Sequence, residues 1–78
     1  MTDLKETLCG IARAIVDHPD DVTVLCTEDG KEVNLVLSVA ESDMGMVIGK
    51  NGKIAKAIRT VMKAAATADN KRVNVEIR

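Results

Sequence analysis

Apolar residues recur along the first segment at helical intervals, with Leu4, Leu8, Ile11 and Ile15 following one another at spacings of 4, 3 and 4. Such spacings place one stripe along a helix, and Lys5, Glu6, Arg13 and Asp17 fall away from it. The pattern predicts an amphipathic helix over 3–17. Asp3 is its expected cap, with Glu6 three residues on in a variant of the capping box. His18-Pro19-Asp20-Asp21 ends it, because proline disfavours helical geometry in the residue before it. From Val22 the period shortens to nearly two, in Val-Thr-Val-Leu-Cys-Thr-Glu, and Asp29-Gly30 is a strong hairpin signal. Val33, Leu35, Leu37 and Val39 then alternate with Asn34, Val36, Ser38 and Ala40, which predicts an antiparallel partner strand over 33–40. Glu41-Ser42-Asp43 is positioned to cap a short helical turn through Met44, Met46 and Val47.

Helical period returns over 53–68. Ile54, Ala57, Ile58, Val61, Met62, Ala65 and Ala68 share one side of the wheel, and Lys53, Lys56, Arg59 and Lys63 share the other. The cations occupy an arc of about 120° with no acid in it. That arrangement fits an ordinary solvated face or a face turned to phosphates; the segregation of acids to other parts of the chain favours the second. The apolar arc runs from Ala57 through Ile54, Val61 and Ile58 to Met62 and on toward Ala55 and Ala66. At about 180° it is wider than one-sided packing requires. Either alanine simply tolerates exposure there, or Val61 and Met62 belong to a face that pairs with another chain. Asp69-Asn70 reads as a helix end, and Val73, Val75 and Ile77 alternate with polar residues as a last strand. The connection from 33–40 back to 73–77 is long enough to make those strands parallel. An α+β fold follows, ordered α-β-β-α-α-β, with a three-stranded mixed sheet and three helices packed on one face. Residues 1–78 form one domain.

Between the last two helical segments lies Val47-Ile48-Gly49-Lys50-Asn51-Gly52-Lys53-Ile54. Glycine removes the Cβ that would hold a ligand away, and a following helix offers unpaired N–H donors at the positive end of its dipole. Lys50 and Lys53 add charge at the same place. A G-x-x-G alone is equally at home in any helix-turn-helix, so its meaning rests on its surroundings.

Composition narrows the function. The chain is 46% apolar yet has no Phe, Tyr or Trp, so it has no rings on which to stack unpaired bases, as RRM, OB and cold-shock proteins do. A net charge of −1 makes any basic surface local. Cys9 and Cys26 lack metal spacing, and His18 stands far from any metal quartet, so the cysteines read as small, partly buried hydrophobes and His18 as a helix-end residue. There is no paired nucleophile and base and no G-x-x-x-x-G-K-S/T, so the chain reads as noncatalytic, with no cofactor. No signal-peptide core and no span-length apolar run are present, which reads as soluble and cytoplasmic, without membrane insertion.

Val47-Ile48-Gly49-Lys50-Asn51-Gly52 resembles the VIGxxG signature of KH domains, and the predicted order resembles their type II fold. His18-Pro19-Asp20-Asp21-Val22, Asp43-Met44-Gly45, the run Ala55–Val61 and Asn70-Lys71-Arg72-Val73-Asn74-Val75 are similar to the small bacterial single-KH proteins of the KhpA (YlqC) family, over essentially the whole chain. The resemblance implies a noncatalytic protein of the RNA-chaperone or post-transcriptional regulator kind that grips single-stranded RNA. Gly49, Lys50, Asn51 and Gly52 would clamp the backbone, Lys53 would supply the next cation, and Ile48 and Ile54 would floor an apolar groove. Lys56 and Arg59 would be secondary phosphate contacts. It also implies a homodimer, pairing with a larger KH protein, KhpB, and a role in cell-envelope growth and cell shape. One departure is Met46, which stands where a Lys or Arg is expected in that family.

Overall fold

The computed structural model describes residues 3–78, with the side chains of Lys50 and Asn51 outside the described set. Helix α1 spans Leu4–Ile15, and the expected cap is made, Asp3 Oδ1 accepting from the Glu6 N–H at 3.2 Å. Its buried line is Leu4, Leu8, Ala12 and the cap residue Val16, while Ile11 and Ile15 sit half-buried on the flank. The stripe thus holds in its first half, at Leu4 and Leu8, and beyond it the small residues of the i, i+4 row sit deeper than Ile11 and Ile15. A single 3-10 turn over Pro19–Asp21 leads into β1 (Thr23–Asp29). Gly30, at φ +62°, lets the chain reverse into β2 (Glu32–Ser38), the left-handed geometry that this tight hairpin turn needs.

β1 and β2 pair antiparallel, with Val24 opposite Leu37 and Cys26 opposite Leu35. β3 (Arg72–Ile77) lies parallel to β2, Val33 opposite Val73 and Leu35 opposite Val75. The sheet order is β1-β2-β3, so β1 and β3 are the edges. Val24, Val33, Leu35 and Leu37 are buried against the helices with Leu8, Val47, Ile58 and Met62. Leu25, on the other face, is 68% exposed. The helices therefore cover one side of the sheet and leave the other open.

The second helical element, α2, spans Glu41–Ala68 without an assigned break. Its N-terminal part is longer than the short turn expected from the sequence. It is nevertheless not straight. Gly52 has φ +67°, against about −63° in an α-helix. A straight helix of 28 residues would run about 42 Å, more than the 35 Å longest dimension of the molecule. α2 is thus two helical arms, 41–51 and 53–68, meeting at one left-handed glycine. With α1 they make the three helices of the α-β-β-α-α-β order.

The C-terminal arm ends in a Schellman arrangement. Asn70 takes φ +58°, Lys71 N–H donates to Ala66 O at 2.8 Å and Asn70 N–H to Thr67 O at 3.0 Å. Asparagine tolerates that left-handed position and so stops the helix.

Candidate nucleic-acid interface

The N-terminal arm is fixed at its start by a carboxylate. Asp43, 2% exposed, accepts from Asp17 N–H at 3.3 Å, from His18 N–H at 3.1 Å and from His18 Nδ1 at 3.2 Å. Burial alone would push its carboxyl up. The two backbone N–H groups and the His18 ring outweigh that and hold it below the usual aspartate value. This role departs from the one expected: Ala40 is the N-cap of α2, with no side-chain cap bond, and Asp43 instead ties the exit of α1 to the first turn of α2. Ser42 Oγ is 3.3 Å from the same His18 Nδ1. A hydroxyl–imidazole–carboxylate relay needs the two partners on opposite ring nitrogens, so this cluster is a latch and not a nucleophile.

From that anchor the arm runs to the glycines. A Cβ added at Gly49 or Gly52 would meet no other atom within 4 Å, so the backbone there lies open. Gly52 has a reason within the fold to be glycine, its positive φ. Gly49 has none, since it is in right-handed helix and unobstructed. Gly10 on α1 is similarly open, so openness alone does not mark a site; what distinguishes Gly49 is its place beside Gly52, Lys53 and the exposed Ile48. The left-handed geometry of Gly52 turns the helical run at this point, between the exposed Ile48 and Lys53. The side chains of Lys50 and Asn51, assigned to the clamp from the sequence, lie outside the described residues.

Lys53, Lys56, Arg59 and Lys63 are all exposed along the C-terminal arm. Arg59 Nε donates to the Val75 carbonyl at 3.3 Å, which brings the cationic face of α2 against the free edge of β3. Ile48 is 45% exposed beside the loop, and Ile54 is half-buried against the core. The structure thus sets two apolar side chains and a line of cations around open backbone. Met46, at the position where a cation was expected, is partly exposed on the same arm.

The apolar arc of the C-terminal arm divides differently from the sequence reading. Ala55, Ile58, Met62 and Ala66 are buried, with Ile54 and Ala65 on the flank. Met62 is 0% exposed and belongs to the core of one chain, so it is withdrawn as part of a pairing face. Val61 is 48% exposed and continues a solvent-facing line through Ala57, Ala64 and Ala68. Ala64 and the latch residues Asp43 and His18 were not among the candidates from the sequence. The 4-3-4 spacing from Ala57 to Ala68 was there to find the first; nothing local signals the second. Among the described residues, no group of three His, Cys, Asp or Glu could hold a metal ion, and no helix is long and apolar enough to cross a membrane.

Comparison with known proteins gives this geometry its relatives. The family model described as the KhpA/KhpB KH domain matches residues 5–77. The chain is similar to the RNA-binding protein KhpA of Clostridium acetobutylicum, at 55% identity over 95% of this chain and 99% of the relative. It is similar to the protein of the same name from Halalkalibacterium halodurans, at 54% over 95% and 97%, and to that of Bacillus subtilis, at 47% over 99% and 98%. A match that spans both arms of α2, with Gly49 and Gly52, and all three strands is a match of the whole fold: the chain belongs to the KhpA/KhpB KH-domain family.

Proposed function

We propose that this protein binds single-stranded RNA without chemistry, gripping the sugar–phosphate backbone at Gly49, Lys50, Asn51 and Gly52. The observation that carries the reading is the open backbone at Gly49 and Gly52, set at the start of a helix arm whose exposed face is Lys53, Lys56, Arg59 and Lys63. Glycines admit a phosphate to within hydrogen-bonding reach of main-chain N–H groups, and the cations neutralise it. Ile48 and Ile54 offer apolar contact to bases in a chain that has no Phe, Tyr or Trp. About four nucleotides suit such a clamp. The names of the relatives, RNA-binding protein KhpA, agree with this reading. In the cell the same reading places the protein in the cytoplasm as an RNA chaperone or post-transcriptional regulator, working with a KhpB-like KH protein in cell-envelope growth and cell shape.

The Gly49→Asp, Gly52→Asp double variant tests the clamp in a gel-shift assay with single-stranded RNA at moderate salt. Loss of retention in a protein that still melts cooperatively supports it, and retention equal to wild type overturns it.

A second reading has its own observation. Val61 and the alanines at 57, 64 and 68 form an exposed apolar line on α2, away from the latch. We read this line as the face on which two copies, or this chain and a KhpB-like partner, pair. A dimer would place two modest clamps on one strand and raise affinity through effective concentration.

A further inference from the structure

At the far end of α2 two clefts run together. One, of about 340 Å³, is lined by Lys31, Thr67, Asn70, Lys71 and Arg72. The other, of about 330 Å³, is lined by Lys63, Thr67, Lys71, Arg72, Val73 and Asn74. They share Thr67, Lys71 and Arg72 and so form one trough. Four of its residues are cations and none is an acid. They come from three places in the chain: Lys31 from the β1–β2 turn, Lys63 from the helix, and the adjacent Lys71 and Arg72 from the helix exit and the start of β3. Glu28 lies 3.6 Å from the Lys71 ammonium but does not line the trough. Cations beside a helix C-terminus gain from its dipole, and with the Glu28 pair this accounts for Lys71; it leaves Lys31, Lys63 and Arg72 unexplained. Bringing like charges from separate segments into one concavity is unfavourable unless an anion shares it. Asn70 and Asn74 add side-chain amides able to donate hydrogen bonds, Asn74 giving one of its two N–H groups to Asn34 Oδ1 at 3.1 Å, while the Thr67 hydroxyl donates to Lys63 O at 2.9 Å.

We infer that this trough binds phosphate groups of the same RNA strand that the glycine loop holds, so that the RNA track extends along α2 to the β1–β2 turn. The inference rests on the proposed RNA binding and adds a second contact region to it. Lys63 belongs both to the exposed cationic line and to the trough, which makes the track continuous. From Gly52 to Thr67 the arm covers about 22 Å at 1.5 Å per residue. At about 3.4 Å per stacked nucleotide that is some six or seven nucleotides, beyond the four or so at the loop.

Fluorescence anisotropy with labelled oligouridylates of four and twelve nucleotides, over a range of salt, tests this. A longer strand gains affinity simply from having more registers, but registers do not alter the salt slope. With two added phosphate contacts, the slope of log K against log salt steepens by about 1.4 for the twelve-mer. In Lys31→Gln, Arg72→Gln the twelve-mer slope falls back toward that of the four-mer, while four-mer affinity is unchanged. Equal slopes for the two lengths in the wild type overturn the proposal without any variant, as does a variant that weakens both lengths equally. If inorganic phosphate alone shifts the amide signals of Lys31, Lys71 and Arg72 while the slopes stay equal, the trough takes a free anion and the RNA assignment is wrong. Failure of the clamp reading looks different: the Gly49→Asp, Gly52→Asp variant would then keep four-mer binding.

Discussion

Gly49 and Gly52 lie three residues apart on one helical run but in opposite backbone regimes, the first in right-handed helix and the second at φ +67°. The difference separates what glycine does for the fold from what it does for a ligand.

Alanine at the two positions should therefore move stability in opposite directions. Gly49→Ala removes backbone entropy from the unfolded chain and meets no atom, so it stabilises by about 0.5–1 kcal/mol. Gly52→Ala forces a Cβ into left-handed geometry and costs about 1–2 kcal/mol. Both should weaken RNA binding, the first in a protein that is more stable than the wild type. Urea melts read beside anisotropy titrations check the pair.

Asp43 makes the fold sensitive to acid. Its pKa in the folded protein is below its unfolded value, so its contribution is fully present above about pH 4 and is lost as pH falls through the lower, folded value. Asp43→Asn should lower the melting temperature at neutral pH and flatten the fall in stability below pH 4. A variant that melts with the wild-type pH dependence would show that the carboxylate has no such role.

Val61 and Met62 are adjacent in sequence and opposite in environment. Met62→Ala truncates a side chain with no exposure and should cost about 2–5 kcal/mol. Val61→Asp changes an exposed position and should leave monomer stability within about 0.5 kcal/mol, while shifting sedimentation of a concentrated sample from dimer to monomer. A wild type that already sediments as a monomer at high concentration contradicts the pairing face.

Asp3→Ala removes the side-chain acceptor for Glu6 N–H at the start of α1 and should cost about 1 kcal/mol in thermal or urea melts, with no change in RNA binding.

Much of the fold was written in local pattern. The Asp29-Gly30 hairpin, the alternation of Val33, Leu35 and Leu37, and the Asp3 cap each depend on neighbours a few residues away, and each stands as read. The two features that differ depend on distance. Asp43 looks like a helix cap because it follows Glu41-Ser42, but its partners are 25 and 26 residues earlier. The apolar arc of 53–68 shows that one side is buried but not where its centre lies; packing chose the line Ala55, Ile58, Met62 and Ala66 and left Val61 outside. The cationic face was legible from spacing alone, whereas its contact with the β3 edge through Arg59 required the crossover to be in place. The trough was invisible in the sequence because Lys31 comes to it from the β1–β2 turn, 32 residues before Lys63 and 40 before Lys71.

Amide chemical-shift mapping of the labelled protein, titrated with a short unstructured RNA, tests the site most directly. The largest changes are expected at Gly49, Gly52, Lys53 and Ile54, with smaller ones at Lys56, Arg59 and along β3 near Val75. Changes concentrated instead on the open sheet face at Leu25 and Val36, or on the Ala57–Val61 line, with the glycine loop unmoved, would contradict the proposed grip.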